Sequence, residues 1–334
     1  MEYRVLGTTG AKVSRLCLGA WMFGDPTDEA ESHRILDAAR EAGVNFVDTA
    51  NVYARGRSEE IIGRWFAQGG GRREETFLAT KVHRAVAPGP NGGGNHRHTV
   101  LLRVDESLRR LQTDHIDLYY FHRPDPDTPI AEQVGVMQDL VRAGKVRYYG
   151  TSHYPSWMIL QGMWDAEKRG GPPWVADQPR YSLLDRAIEQ DIVPFCRATG
   201  YALVPHSPLA GGLLTGKYRR GAPPPEGSRA TRSAGLLDGL TDAHWALLER
   251  LETIAGQAGC TPSQAAIAWV LTRPFVTASI IGPRTLAQCH DNLGALSVRL
   301  PPEAVRALDD ASAFATGIPA RGPAPAAPAT WPPV

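Results

Sequence analysis

Residues Phe46 to Gly56 read FVDTANVYARG, and this stretch decides the fold. The run VNFV leading into it has the length and β-branched content of a buried strand, and it stops at Asp48. Tyr53 follows five residues later, and SEEIIGRWFA (58–67) then steps its apolar residues at helical intervals. A short apolar run, a polar residue where it ends, and an amphipathic helix make one β-then-α unit.

The same unit recurs along the chain. Strands are expected at RLCLGA (15–20), VNFVDTA (44–50), TFLATKV (76–82), HIDLYYF (115–121), VRYYGTS (146–152), WVADQP (174–179), YALVPHS (201–207) and VTASIIG (276–282). Helical spacing marks 28–43, 58–67, 100–112, 130–144, 185–200 and 285–296, with an extra pair near 242–258 and 302–313. Parallel strands need crossover helices, so eight such units fit a single α/β domain, a (β/α)8 TIM barrel, over residues 1–315. An open doubly wound sheet would bring GxGxxG after its first strand, and that fingerprint is absent from the sequence. EYRVLGTTGAKVSRL reads as an N-terminal hairpin turning at Gly7–Gly10, a plug for the barrel floor. Residues 316–334, rich in Pro and Ala, are expected to be an extended or mobile tail.

Composition narrows the function classes. At 334 residues, 43% hydrophobic and 21% charged, the balance is that of a soluble globular protein. A net charge of +1 gives no case for nucleic acid or a membrane surface as partner. Cys17, Cys196, Cys260 and Cys289 are scattered and read as reduced thiols. No run has the length of a signal peptide or a membrane span, so a cytoplasmic location is expected. Oligomeric state is left open.

In a (β/α)8 barrel the chemistry sits at the C-terminal strand ends. Read in order, those ends give Asp48 with Tyr53 beyond it, then Lys81, then His122: an acid, a phenol, an ammonium and an imidazole in one mouth. Free tyrosine titrates near ~10, and a neighbouring cation favours the phenolate, so Lys81 is expected to lower the pKa of Tyr53. Asp48 is the counter-ion that a buried lysine needs. His122 can hydrogen-bond a carbonyl oxygen and hold it against the phenol. Each residue alone has a bland reading as cap, loop aromatic, surface charge or core histidine; their joint placement is what points to carbonyl chemistry.

FVDTANVYARGRSEEIIG, LATKV, DHIDLYYFHRPDPDTPIAE, GKVRYYGTS, SPLAGGLLTGKY and IIGPRTLAQCHDNLGAL together resemble the aldo-keto reductase superfamily, over about residues 3–313. The resemblance implies a barrel that binds NADPH without a Rossmann fold, and a catalytic tetrad of Asp48, Tyr53, Lys81 and His122 with Tyr53 the proton donor. It implies nicotinamide contacts from Ser152, His153, Gln178 and His206, where the family's usual residues at the second and fourth positions are asparagine and an aromatic. Backbone from Ser207, Leu209, Gly211 and Leu213 is implied for the pyrophosphate. Arg284 is implied for a 2′-phosphate at a helix start just after Gly282, with Gln288, Asp291 and Asn292 for the adenosine. Trp21 is expected beside cofactor and substrate. Trp21 and Phe23, with Tyr53 and His122, wall the substrate pocket or else simply pack the mouth. RWFAQGGGRREETFLATKV further resembles the branch of nucleotide-sugar 2,3-reductases, and barrels of the family also serve as potassium-channel subunits. Three functions follow as expectations. The first is an NADPH-dependent reductase of an aldehyde or ketone, the second a biosynthetic reductase of a keto-sugar nucleotide or related intermediate, and the third a channel-associated NADPH sensor. No domain precedes the hairpin to support the third.

Three other stretches invite readings of their own. Gly211 to Lys217 nearly matches a P-loop, but Tyr218 stands where Ser or Thr would ligate magnesium. His96 and His98 lack a third ligand, so no metal is expected. PPPEGSRATRSAG (223–235) has the composition of a lid or strap, or of a plain connection.

Overall fold

The computed structural model describes residues 1–232 and 235–316; the expected Pro/Ala tail lies almost entirely outside them. Strands β1 (Tyr3–Val5) and β2 (Lys12–Ser14) pair antiparallel, with Tyr3 opposite Ser14. Gly7 turns this hairpin at φ +55, and a Cβ there would come within 2.7 Å of the Val175 carbonyl. The turn is therefore pressed against the barrel wall, and Leu6 and Val13 join the apolar residues that fill the barrel. The hairpin plugs the floor, as its sequence suggests.

Eight parallel strands follow: β3 (Leu16–Gly19), β4 (Phe46–Asp48), β5 (Phe77–Val82), β6 (Ile116–Phe121), β7 (Val146–Thr151), β8 (Ala176–Asp177), β9 (Ala202–Leu203) and β10 (Ser279–Ile281). Their order is β10-β3-β4-β5-β6-β7-β8-β9. The ends of that sheet meet through Thr277 N–H to Leu203 O (2.8 Å), Ile280 N–H to Pro205 O (2.9 Å) and a parallel bridge between His206 and Ile280. The sheet is closed on itself. Phe46, Ala79, Leu118, Tyr120, Ala176, Ala202 and Ile280 point inward, one or more from each of several strands, so the interior is packed core rather than pore.

Helices α1 (Glu29–Glu41), α2 (Arg57–Phe66), α3 (Arg97–Leu111), α4 (Ile130–Arg142), α5 (Ser156–Lys168) and α6 (Ile192–Thr199) cover the first strands. The short α7 (Arg229–Arg232), α8 (Asp242–Gln257), α9 (Pro262–Leu271), α10 (Leu286–Gly294) and α11 (Pro302–Ala311) complete the layer. The extra pair read from the sequence is α8 and α11, which share one apolar cluster through Leu247, Leu248, Leu251 and Leu308. Two details differ from the sequence reading. Residues 185–200 form a tight turn (Ala187–Glu189) and then α6, because Pro194 in the first turn of α6 prevents the helix from running back through Gln190. α9 was not singled out because its face is apolar all round: Ala265 through Val270 are buried without interruption, which erases helical periodicity. Among the described residues, no helix is long and apolar enough to cross a membrane.

One buried acid outside the mouth is fully engaged. Glu59, fully buried on α2, accepts from Arg110 Nε (2.7 Å) and Thr80 Oγ1 (2.6 Å), which ties α2 to α3 and β5. Removing one partner of such a pair costs about 3–5 kcal/mol.

Candidate active site

Lys81 sits on β5 with no exposure, and its ammonium makes three hydrogen bonds. It donates to Asp48 Oδ2 at 2.5 Å, to the Thr49 carbonyl at 2.7 Å and to the Tyr53 hydroxyl at 3.2 Å. Three N–H donors meet three acceptors, so the ammonium is saturated and its direction fixed. Parallel pairing of Asp48 with Ala79 on β5 sets the register that brings acid and base together. Tyr53 opens a tight turn (Tyr53–Gly56) that holds Ala54 and Arg55 at positive φ (46 and 60) before α2 begins. Lys81 Nζ also stands 4.9 Å from the centre of the Tyr53 ring. The four residues expected from the sequence are thus brought together.

Electrostatics at the site partly reverse the sequence expectation. Burial raises the Tyr53 pKa and outweighs the lowering effect of Lys81, so Tyr53 is held as a phenol above its ordinary value. The expected net lowering is corrected; the reason is burial, to which the charge of Asp48 adds. Burial alone would lower the Lys81 pKa, but Asp48 and Tyr53 more than reverse this and keep it charged. His122 packs edge-on to Tyr53, ring centres 5.7 Å apart. Burial, then Lys81, push its pKa down to about 2, so the imidazole is neutral and its Nδ1 is buried with no partner among the described residues.

Gln178 and Ser152, expected at the nicotinamide, are engaged within the protein. Gln178 Nε2 donates to Asp48 Oδ1 at 2.8 Å, and Ser152 Oγ donates to the Gln178 carbonyl at 2.8 Å. Gln178 thereby fixes the second carboxylate oxygen. His153, at φ +61, faces His206 with Nε2 to Nε2 at 2.9 Å, and His206 Nδ1 lies 2.8 Å from Ser207 Oγ. One of the two histidines donates and the other accepts. Burial lowers both pKa values, His153 to about 4, so the pair is neutral.

Beyond Ser207 the chain makes tight turns over Ala210–Thr215, with Ser207, Ala210, Gly211, Gly212 and Gly216 all at positive φ. A Cβ on Gly211 would lie 3.3 Å from Arg229 Nη1, and one on Gly212 3.0 Å from Lys217 Nζ. The glycines line a cradle flanked by two cations, which suits a pyrophosphate. No long helix follows directly, in keeping with the rejection of a P-loop. Arg284 Nη1 donates to Gly227 O at 3.0 Å, and Arg229 stacks 5.0 Å from the ring centre of Trp21, which is half exposed. Residues 227–229 therefore lie as a strap from α10 toward the end of β3.

The start of α10 differs from what its sequence suggests. Leu286 N–H is taken by Glu31 Oε1 (2.6 Å), Gln288 N–H by Thr285 Oγ1 (3.2 Å), and Arg284 N–H by Gln288 Oε1 (2.9 Å). Those three donors are not free for a phosphate, and the Arg284 side chain is a group that can meet one. Asp291 accepts from Thr261 and from Gln264 through its carboxylate and carbonyl respectively, and Asn292 is buried beside it. Gly282 is exposed at the end of β10. Phe23 is fully buried against Ile35, Leu36 and Ile61, so it belongs to packing and not to a substrate wall. His96 bonds Thr99, and among the described residues no three His, Cys, Asp or Glu side chains gather as metal ligands. All four cysteines are free thiols.

Two participants were missed in the sequence. The Thr49 carbonyl is main chain and has no residue signature. Asn51, buried with neither amide atom partnered among the described residues, was hidden as a loop position in DTANVY. Its backbone N–H donates to the Lys81 carbonyl at 3.3 Å, which places an unmatched buried amide next to the lysine.

This geometry is that of a barrel oxidoreductase, and the comparisons name the family. The model of the aldo/keto reductase family matches residues 15–313, so the chain belongs to that family. It is 43% identical over 93% of its length to the uncharacterized oxidoreductase YrpG of Bacillus subtilis, 95% of which is covered. It is 38% identical to a probable voltage-gated potassium channel subunit beta of Arabidopsis thaliana, over 89% of this chain and 92% of that one. Norsolorinic acid reductase of Aspergillus flavus is 35% identical, over 95% of this chain and 82% of its own.

Proposed function

We propose that the protein is an NADPH-dependent reductase of an aldehyde or ketone, with Tyr53 as general acid. The observation that carries this reading is the saturated Lys81 ammonium, one of whose three bonds goes to the Tyr53 hydroxyl. When bound, the nicotinamide supplies the hydride that forms the new C–H bond. Tyr53, kept protonated by burial, gives its proton to the carbonyl oxygen as the π electrons move onto that oxygen. The phenolate left behind lies against the Lys81 ammonium, and water returns the proton. Neutral His122 positions the oxygen without competing for the proton. Asp48 holds Lys81, Gln178 holds Asp48, and the hydrogen-bonded His153–His206 pair, its rings edge-on at 63°, offers uncharged imidazoles to the nicotinamide. Arg284 favours a 2′-phosphate, through its planar fork.

The test is a fluorescence titration with NADPH and NADH, run beside NADPH oxidation with a panel of aldehydes and ketones. NADPH is expected to bind at least tenfold more tightly, and Arg284→Ala to remove most of that preference. Equal affinity for both nucleotides in the parent protein would sink the NADPH assignment.

The kinship with potassium-channel subunits and with norsolorinic acid reductase supports two variants of this reading, a slow-turnover sensor and a reductase of a biosynthetic intermediate. Turnover with any carbonyl of the panel faster than about one per second excludes the first, since ordinary enzymes run at 1–10³ per second.

A further inference from the structure

Two arginines at the mouth have no part in the chemistry above. β5 and β6 pair Val82 with Phe121, and His122 N–H donates to Val82 O at 2.8 Å. Arg84 and Arg123 each follow that pair by two residues, so neighbouring strands leave the barrel side by side, each carrying a guanidinium next to Lys81 and His122. Arg84 is exposed and Arg123 is partly buried. The side chains of both lack a hydrogen-bond or ion-pair partner among the described residues; Arg123 contributes only its carbonyl, to Asn95. A third arginine, Arg180, ends the β8 side of the mouth, bridged through its backbone to His206.

The acids close by are occupied. Asp48 takes Lys81 and Gln178. Asp125 accepts from Asn95 N–H (2.7 Å), Thr128 Oγ1 (2.8 Å) and Asp127 N–H (3.1 Å). Asp185 stands 3.8 Å from Arg180 Nε. Burial, followed by the charges of Arg84 and Arg180, lowers the Arg123 pKa, which is the behaviour of a guanidinium with cations and no anion for company. Those charges also reach the reaction centre: Arg84 acts on Tyr53, and both Arg84 and Arg123 act on His122. Unneutralised guanidinium charge beside a reacting group costs stability and is the complement of an anion.

We propose that the substrate is a carbonyl compound bearing an anionic group, a carboxylate or a phosphate, held by Arg84 and Arg123 while its carbonyl lies at Tyr53. This names the substrate class of the reductase site and rests on that reading. Arg123 stands at the register of His153 on the neighbouring strand β7, so the anion site borders the His153–His206 pair, while Arg84 lies one strand further away on β5. The neighbouring cavity of about 290 Å³ beside His153 and Arg180 is a poor seat for the anion, because Asp177, Asp185 and Asp191 line it.

The test compares three probes with the same ring: 4-formylbenzoate, 4-formylphenyl phosphate and neutral methyl 4-formylbenzoate. The parent protein is expected to prefer an anionic probe, and the two anionic arms tell carboxylate from phosphate. In the Arg84→Ala/Arg123→Ala variant, kcat/KM for the preferred anion should fall about 10–100-fold, the scale of one or two hydrogen bonds to a charged group. The ester should change less than about twofold, and the Arg84→Lys/Arg123→Lys variant should recover most of the loss. Equal loss for anion and ester, or a parent protein that prefers the ester, overturns the proposal while leaving the reductase intact. Should no probe be reduced, the reductase reading fails separately, and titration with the unreactive dianion terephthalate decides the anion site. Binding lost in the double alanine variant upholds it, and equal or absent binding overturns it.

Discussion

Strands β5 and β6 run six residues each and carry Lys81 and His122 at or just past their ends, whereas β8 and β9 run two residues each and lead to Gln178 and His206. On the long side the ladder itself fixes the site: four registered pairs join β5 to β6, and a backbone hydrogen bond continues to His122. On the short side the ladder has fewer pairs, and single backbone bonds from Gln178 N–H to Thr151 O and from His206 N–H to Pro179 O are reinforced by side chains. Thr151 Oγ1 bonds Asp177 (2.8 Å), the Tyr201 hydroxyl bonds the Ala176 carbonyl (2.9 Å), and His153 and His206 bond each other. Proton transfer tolerates little error in distance, and it is built where the backbone is most constrained. Cofactor contacts must form and release, and the proposed contacts stand on the half with less ladder to break.

The largest test of that division is Tyr53→Phe. Reduction should fall by about 10²–10⁴-fold, the usual worth of a general acid, with NADPH affinity changed less than about twofold. Retained turnover would place the proton donor elsewhere and dissolve the contrast.

Asp177→Asn probes the short half. Burial raises the Asp177 carboxyl from 3.8 to about 7, with one oxygen bonded to Thr151 and the other without a partner among the described residues. A carboxyl whose folded pKa is raised binds its proton more tightly in the native state. Its contribution is therefore present in full below pH ~4 and is lost as pH rises toward 7, by at most about 4 kcal/mol. Denaturation at pH 3.5 and pH 8 should show the variant near the parent at pH 3.5 and clearly more stable at pH 8, with an intermediate gain of about 1.5 kcal/mol at pH 5. Equal effects at both pH values would mean that Asp177 does not titrate in this window.

His153→Asn is the smallest. Asparagine tolerates the left-handed backbone at this position, but its shorter side chain gives up the bond to His206. NADPH should bind about fivefold more weakly, the worth of one neutral hydrogen bond. Unchanged or tighter binding would show that His206 holds its orientation unaided.

The barrel and the tetrad were legible because each strand ends in a residue whose chemistry differs from the run before it: Asp48 after NFV, Lys81 after LAT, His122 after YYF. What escaped had no such contrast. α9 is apolar on every side, the Thr49 carbonyl has no side chain to read, and Arg84 and Arg123 vanish among many arginines until the register sets them side by side. The Tyr53 pKa was misjudged because a sequence names the neighbouring lysine but not the burial that outweighs it.

The hairpin that seals the floor carries one further consequence, for how such a chain can change over evolutionary time. Leu6 and Val13 complete the barrel interior at the end opposite Tyr53 and Lys81. Any domain joined ahead of Tyr3 emerges on the face remote from the mouth, and any insertion in the β5–β6 loops alters recognition without touching the seal. Attachment and specificity can then be selected separately, and one scaffold can acquire new company without renegotiating its chemistry.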